Sequence, residues 1–505
     1  MADTDKEIAQ RTEREHIHSS KDGASSDASD VPDSELEWSA EEEAAIRHKI
    51  DWHTVPLVTV LYMLCFLDRI NIGNARIQGM ADDLDLNVGV RFNWALSIFY
   101  IVYLLIEVPS NILLKRFGGR YYLPLLVLGF GFVSMCTAFV RDFGGLMVAR
   151  VFLGIFEGGA FPGIAFFLSC FYKRNELLFR MGIYVSAASI AGAFGGLLAT
   201  GLSRIPDWGA ASMRIHTWRN IFFFEGLVTC IVAVVAPIWM PTTPATAYFL
   251  NERERRIAAE RLVREHKADQ AANVTWRDIK QAFFCIHNYT CALGFFLINI
   301  TVQGLSVFLP TILNDLGPEW TNTQAQLYSV PPYVAACLVA IAIAYASDKT
   351  HQRGIWLAAF SCLAVIGFAI LRWETRASIR YMAVYFVTVG AFPGGPGFLS
   401  WAMNNSAGPG VRAVSSAYVV TLGTIGGIVA TWTYVRDDAP KYFTGHAINL
   451  GGQIATVCLA VFGIFYCMYE NRARAAGKRD HRLEGLSEEE QLKLGNRHPN
   501  YRYWT

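Results

Sequence analysis

Charge is scarce in this chain. Only 17% of its 505 residues are Asp, Glu, Lys or Arg, against about 25% in an average soluble domain. The 44 basic and 43 acidic residues nearly cancel, so no global excess points to nucleic acid. The ten cysteines form no Cys-x-x-Cys pair and no metal-ligand spacing. They read as small core residues, and no cofactor or metal is expected. None of the 42 glycines is followed by Lys-Ser or Lys-Thr, which excludes a phosphate loop. No nucleophile–base constellation appears, so an enzyme is the least favoured class. Residues 1–45 are polar and acidic without an apolar core, so no cleavable leader is expected.

What the chain has instead is apolar length. It is 53% hydrophobic, with a mean hydropathy of +0.27. Apolar spans fall at about 54–77, 92–114, 121–140, 143–171, 180–202, 219–240, 286–313, 325–347, 354–372, 379–403, 412–435 and 446–469. Each is long enough to cross a hydrocarbon core of roughly 30 Å. All should be helices, because a lipid-exposed segment must satisfy its own backbone groups.

Basic residues mark alternate loops: Lys115, Arg116 and Arg120; Lys173, Arg174 and Arg180; the run Arg253–Lys267; and Arg472, Arg474, Lys478 and Arg479. The positive-inside rule then places both termini in the cytoplasm. The expected organisation is a disordered cytoplasmic tail at 1–45, a six-helix bundle at 46–240 and a cytoplasmic loop at 241–285. A second six-helix bundle at 286–470 and a short cytoplasmic tail at 471–505 complete it. Ser39 and Glu42 have capping-box spacing at the start of the first helix. Six spans on each side of one long polar loop suggest two related halves with a site between them near mid-membrane.

The most informative segment is Leu67-Asp68-Arg69-Ile70-Asn71-Ile72-Gly73-Asn74, inside the first span. A charge at the centre of a membrane helix costs about 2.5–3.5 kcal/mol on insertion scales. Such groups persist where they face a protein interior or a water-filled path. Asp68 and Arg69 point about 100° apart on a helix, so they address different partners. Span four carries Arg150 and Glu157, seven apart on nearly one face and about 10 Å apart along the axis. They are too distant to pair with each other, and Asp68 and Arg69 are their natural partners. A network of two acids and two bases titrates as a unit, and protonating one acid frees an arginine to meet an anion. The bland alternative is a static charge lattice between helices.

Glu107 in span two is either a gate or a helix-packing acid. Tyr100 and Tyr103 in span two, Asn299 and Gln303 in span seven, and Trp401, Asn404 and Asn405 in span ten suit either substrate contact or helix–helix hydrogen bonds. The glycine pairs 154/158, 159/163 and 192/196 have the spacing of close helix packing.

Four pieces together resemble the major facilitator superfamily, and within it the fungal anion:cation symporters. They are Leu67-Asp-Arg-Ile-Asn-Ile-Gly-Asn-Ala-Arg76, Glu107-x-Pro-Ser-Asn111, Arg150-x6-Glu157-Gly-Gly-x-Phe-Pro-Gly163 and Trp401-x-x-Asn-Asn-x-Ala-Gly408-x3-Arg412. The resemblance covers about residues 40–475, and that group includes allantoate, nicotinate, pantothenate and biotin permeases. It implies an all-α membrane fold of two pseudo-symmetric six-helix bundles. It also implies proton-coupled symport of a small organic anion by alternating access. Carried over, Asp68 and Glu157 take protons. Arg69 meets the substrate carboxylate, joined by Asn71, Tyr103, Asn404 and Asn405. Arg150 organises the acids, while Glu107 and the pair Asp348 and Arg353 serve as gating charges.

Two departures stand out. Lys115 occupies the place of the superfamily's usual acid after helix two, whereas Asp348 is kept after helix eight. Span five lacks the Gly-Pro of drug/proton antiporters. The expected partners are an organic anion, protons and the lipid bilayer, without nucleic acid, for a monomer in the plasma membrane. An exporter of an anionic metabolite and a non-transporting nutrient sensor remain the alternatives.

Overall fold

The described residues of the computed structural model form twelve helical spans long and apolar enough to cross a membrane. The structure describes residues 38–210, 213–269, 276–316, 320–350, 352–407, 409–485, 491 and 494–505. Two units are distinguished, Met1–Glu43 and Ala44–Thr505. In the first, Ser39 and Glu42 exchange hydrogen bonds of 3.1 and 3.2 Å as a capping box. Everything below concerns the second.

Before the middle loop come α1 (Ala40–Ala75), α2 (Arg91–Phe117), α3 (Gly119–Thr137), α4 (Phe143–Glu157), α5 (Ala160–Ser169), α6 (Arg174–Leu202) and α7 (Thr217–Trp239). In that loop lie α8 (Glu252–Asp269) and α9 (Trp276–Phe283). Then follow α10 (Ile286–Leu316), α11 (Asn322–Thr350), α12 (Arg353–Trp373), α13 (Ala377–Ala391), α14 (Gly394–Asn404), α15 (Pro409–Ala430) and α16 (Phe443–Ala475). The departure from helix among the described residues is a short antiparallel pair, β1 (Trp208–Ala210) and β2 (Met213–Ile215), between α6 and α7.

Local sequence explains the interruptions. Span four is split into α4 and α5 at Gly158-Gly159, just ahead of Pro162. Span one runs on past Ala75 through a kink at Gln78 and Gly79, where Gly79 takes a φ of +101° that a side chain would resist. The glycines of α4 allow close contact with α2: a Cβ at Gly154 would lie 2.8 Å from the Phe99 carbonyl oxygen, and one at Gly158 2.8 Å from that of Tyr103.

Helices 1–6 and 7–12 of the membrane set meet mainly where α6 packs on α11 and α2 on α15. The polar bridges between them lie toward the end opposite the termini. Asn93 donates to the carbonyls of Thr431 (2.5 Å) and Tyr434 (3.2 Å). Ser97 and Thr431 share a 2.6 Å hydroxyl bond, and Gln78 donates to Gln326 at 3.0 Å. An apolar cluster including Phe92, Leu96, Trp218, Phe308 and Tyr434 fills the same end. The molecule is therefore closed there.

At the opposite end, α8 docks on the first six helices. The buried Arg261 donates to the Phe171 carbonyl at 2.8 Å and sits 3.4 Å from Glu176. Arg47 reaches Glu176 at 3.1 Å, and Lys49 pairs with Glu254 at 2.6 Å.

Candidate functional site

The apolar sequence of α1 carries its polar residues inward, because the bundle interior is the one place in the bilayer where they find partners. Asp68, Asn71 and Asn74 are each at most 5% exposed. Asp68 accepts a 2.5 Å hydrogen bond from the Ser134 hydroxyl on α3. Arg69, one position on, turns to α4 and forms an ion pair with Glu157. Asn71 donates its amide to Glu225 on α7. Three acids from three helices thus converge on one stretch of α1.

Arg69 also lies within an aromatic box. Its guanidinium carbon is 5.4–5.8 Å from the ring centres of Phe66, Phe99, Tyr100 and Tyr103. Rings at that distance favour a cation while excluding water. Tyr100 extends the box to the second half of the chain, donating to Gln303 on α10 at 2.9 Å. The site therefore lies between the two sets of six helices, below the closed end.

Arg150 is 2% exposed, and its Nε and Nη2 have no hydrogen-bond partner. The carboxylates whose charge acts on it are Asp68 and Glu157. Each of the acids in turn keeps an orphaned oxygen: Asp68 Oδ2, Glu157 Oε2 and Glu225 Oε1. Both side-chain polar atoms of Asn74 are orphaned as well. Buried polar groups are normally hydrogen-bonded. So many open valences in one interior are suited to a polar guest and to protons.

Of the residues singled out from sequence, the structure brings Asp68, Arg69, Asn71, Tyr103, Arg150 and Glu157 together. Glu107 lies one helical turn beyond Tyr103, 8% exposed and with Oε2 unpartnered. Asp348 and Arg353 pair with each other across the short turn between α11 and α12. The Lys115 side chain lies outside the described residues.

Asn404 and Asn405 are placed elsewhere, on the segment ending at Thr505. Asn405 receives the Trp504 amide at 2.8 Å and donates to the Trp504 carbonyl at 3.0 Å and to His287 Nε2 at 2.9 Å. The Asn404 carbonyl accepts from Tyr501 at 3.1 Å. Trp401 likewise donates to the Trp504 carbonyl at 3.0 Å. Asn405 and Trp401 thus hold the backbone of Trp504, while Asn404 meets Tyr501 through its own carbonyl.

The sequence reading missed Glu225, a lone acid in the 23-residue helix α7. The cost argument applied to Asp68 and Glu157 identifies it equally well. Ser134 and the ring of Phe66 and Phe99 carry no such signal, being ordinary residues of apolar helices. Among the described residues, no group of three or more His, Cys, Asp or Glu could hold a metal ion.

The Major Facilitator Superfamily description matches residues 58–431. An uncharacterized transporter of Schizosaccharomyces pombe is 34% identical over 434 residues, covering 86% of this chain and 88% of the relative. The high-affinity nicotinic acid transporter of Saccharomyces cerevisiae is 30% identical over 434 residues, covering 86% and 80%. The xylose transporter XylE of E. coli, in a partially occluded inward open conformation, superposes with a TM-score of 0.60 at 12% identity, over 80% of this chain and 96% of XylE. That last likeness concerns the fold alone. With its twelve membrane-length helices and this match over most of its length, the chain belongs to the major facilitator superfamily, a family of membrane transporters and not of enzymes.

Proposed function

We propose that this protein imports a small organic anion together with protons by alternating access. The observation that carries the reading is the buried ion pair of Arg69 and Glu157, set in an aromatic box between the two halves beside a second acid, Asp68. Protonation of Glu157 removes the charge that holds Arg69. The guanidinium then offers its paired donors to a substrate carboxylate, the geometry for which arginine is suited. The box of Phe66, Phe99, Tyr100 and Tyr103 covers the organic body of the substrate. Ser134 holds one oxygen of Asp68 and Asn71 one oxygen of Glu225, leaving the other oxygen of each open to a proton.

The energetics favour protons as the coupling ion. Moving one negative charge into an inside-negative cell costs about 2.3 kcal/mol per 100 mV. One proton cancels that term, and a second makes entry of a monoanion driven by the potential. The similarity to a transporter named for nicotinic acid, a small monocarboxylic acid, supports the substrate class. One arginine released from its ion pair inside an aromatic box fits a monocarboxylate with an organic body. The closed end carrying Asn93 and Thr431 then faces outward, and both termini face the cytoplasm of a cell whose plasma membrane holds the protein as a monomer.

The test is uptake of labelled nicotinate, pantothenate, biotin, allantoate and simple carboxylates by cells lacking their own carriers, at acidic and at slightly alkaline pH. Acid-stimulated uptake of one compound, abolished in Arg69→Ala, is expected. Absence of uptake of any carboxylate by protein shown at the cell surface sinks the reading in favour of export or sensing.

A further inference from the structure

A cavity lies far from the Arg69 cluster, at the end of the bundle that carries the termini. It has a volume of about 430 Å³, in the range of small-ligand pockets. Its walls come from three separate pieces of chain: Cys285 and the first residue of α10, Ile286; the end of α16 with Glu470 and Arg474; and the closing segment with Arg482, Arg497 and Tyr503. Arg479 stands beside it.

The charges around this cavity do not balance among the described residues. Glu470 is its one carboxylate, and it is already engaged, accepting from Arg479 at 2.5 Å and facing Arg474 Nε at 3.5 Å. Arg474 is turned onto backbone, donating to the carbonyls of Tyr501 (2.8 Å) and Asn496 (2.9 Å). Arg482 gives one nitrogen to the Arg497 carbonyl at 3.2 Å. No carboxylate pairs with Arg482 or Arg497 among the described residues. Burial, followed by the charges of Arg479, Arg474 and Arg497 against the one opposing charge of Glu470, holds Arg482 below its ordinary value. Several guanidinium groups held close by the fold, around an open space, repel one another unless an anion joins them.

We propose that the cavity lined by Arg474, Arg482 and Arg497 binds an anion bearing more than one phosphate, of the size of a phosphorylated polyol. Planar guanidinium forks match phosphate oxygens in pairs. The position, at the last turn of a membrane helix on the basic face, suits the headgroup of an anionic lipid as well as a free polyphosphate. The ligand touches α10, α16 and the closing segment at once. Its binding therefore fastens residues 494–505 to the helix ends. Those residues also cap the bundle through Trp504 on Asn405 and Tyr503 over Arg474, the latter at 4.5 Å.

The full-length protein in phosphatidylcholine nanodiscs provides the test. The readouts are thermal melting and the rate of tryptic cleavage in the closing segment. Two probes are used, free inositol trisphosphate and nanodiscs doped with phosphatidylinositol bisphosphate. Saturable stabilisation with slower cleavage is expected, weakened about tenfold in affinity in Arg482→Ala/Arg497→Ala, each response being read against that protein's own melting without ligand. A response to the free probe alone assigns a soluble ligand, and a response to the lipid alone assigns a membrane headgroup. An equal response in the double variant overturns the site. So does a response to neither probe.

Discussion

Arg69 on α1 and Glu157 at the end of α4 form an ion pair inside the membrane bundle, with the Glu157 side chain 1% exposed and that of Arg69 11%. The pair joins α1 to a helix broken immediately afterwards at Gly158-Gly159. Removing one member leaves the other charge buried without its partner, which costs about 3–5 kcal/mol in typical proteins. Arg69→Ala and Glu157→Gln should each lower the melting temperature. Their double variant should be less destabilised than the two changes added, because it leaves neither charge stranded. Strict additivity in a thermal-melting cycle would show that the two do not interact.

Asn71 and Glu225 give a prediction of different sign. Glu225→Gln keeps an oxygen that accepts from Asn71 and removes a buried acid, so folding and surface expression should be close to wild type. Asn71→Leu deletes the donor and strands the carboxyl, at about 1–3 kcal/mol. Melting of the two variants side by side reads the difference.

The closed end offers a conformational prediction. A Cβ at Gly73 would lie 2.0 Å from the Val307 carbonyl oxygen on α10, so the two halves touch there through bare backbone. Gly73→Val should wedge that end apart. A cysteine placed at Ser97, buried against Thr431, should then react faster with a membrane-impermeant thiol reagent than in the Gly73 background. Unchanged labelling would mean that the contact does not hold the gate.

Asn405→Ala removes the groups that hold both the amide and the carbonyl of Trp504. The closing segment should become several-fold more sensitive to protease. The Arg69 cluster shares no contact with Asn405, so substrate affinity should not change. A loss of affinity would return Asn405 to the substrate site.

The helices were legible in sequence because a lipid-facing span has no alternative way to satisfy its backbone. The Asp68, Arg69, Arg150 and Glu157 cluster was legible for a related reason: an ionised group in an apolar helix is costly enough to demand an explanation. A separation of seven positions between Arg150 and Glu157 left each to seek a partner on another helix, and Glu157 finds Arg69. The same argument reaches Glu225, which went unremarked among phenylalanines. Asn404 and Asn405 show where such reasoning stops. A neutral amide is compatible with substrate, with another helix or with backbone, and only the path of residues 494–505 decides among them. The kink at Gly79 and the β1–β2 pair depend on how neighbouring helix ends meet, which no local pattern encodes.

The central claim is that protons travel with the substrate through Glu157. The most direct measurement is the pH outside proteoliposomes holding the purified protein, recorded as the transported carboxylate is added with no other gradient present. The account predicts alkalinisation outside that follows substrate uptake. In Glu157→Gln that signal should be lost, while substrate exchange between the two sides continues. Uptake of the carboxylate without any accompanying proton movement in the wild-type protein would contradict it.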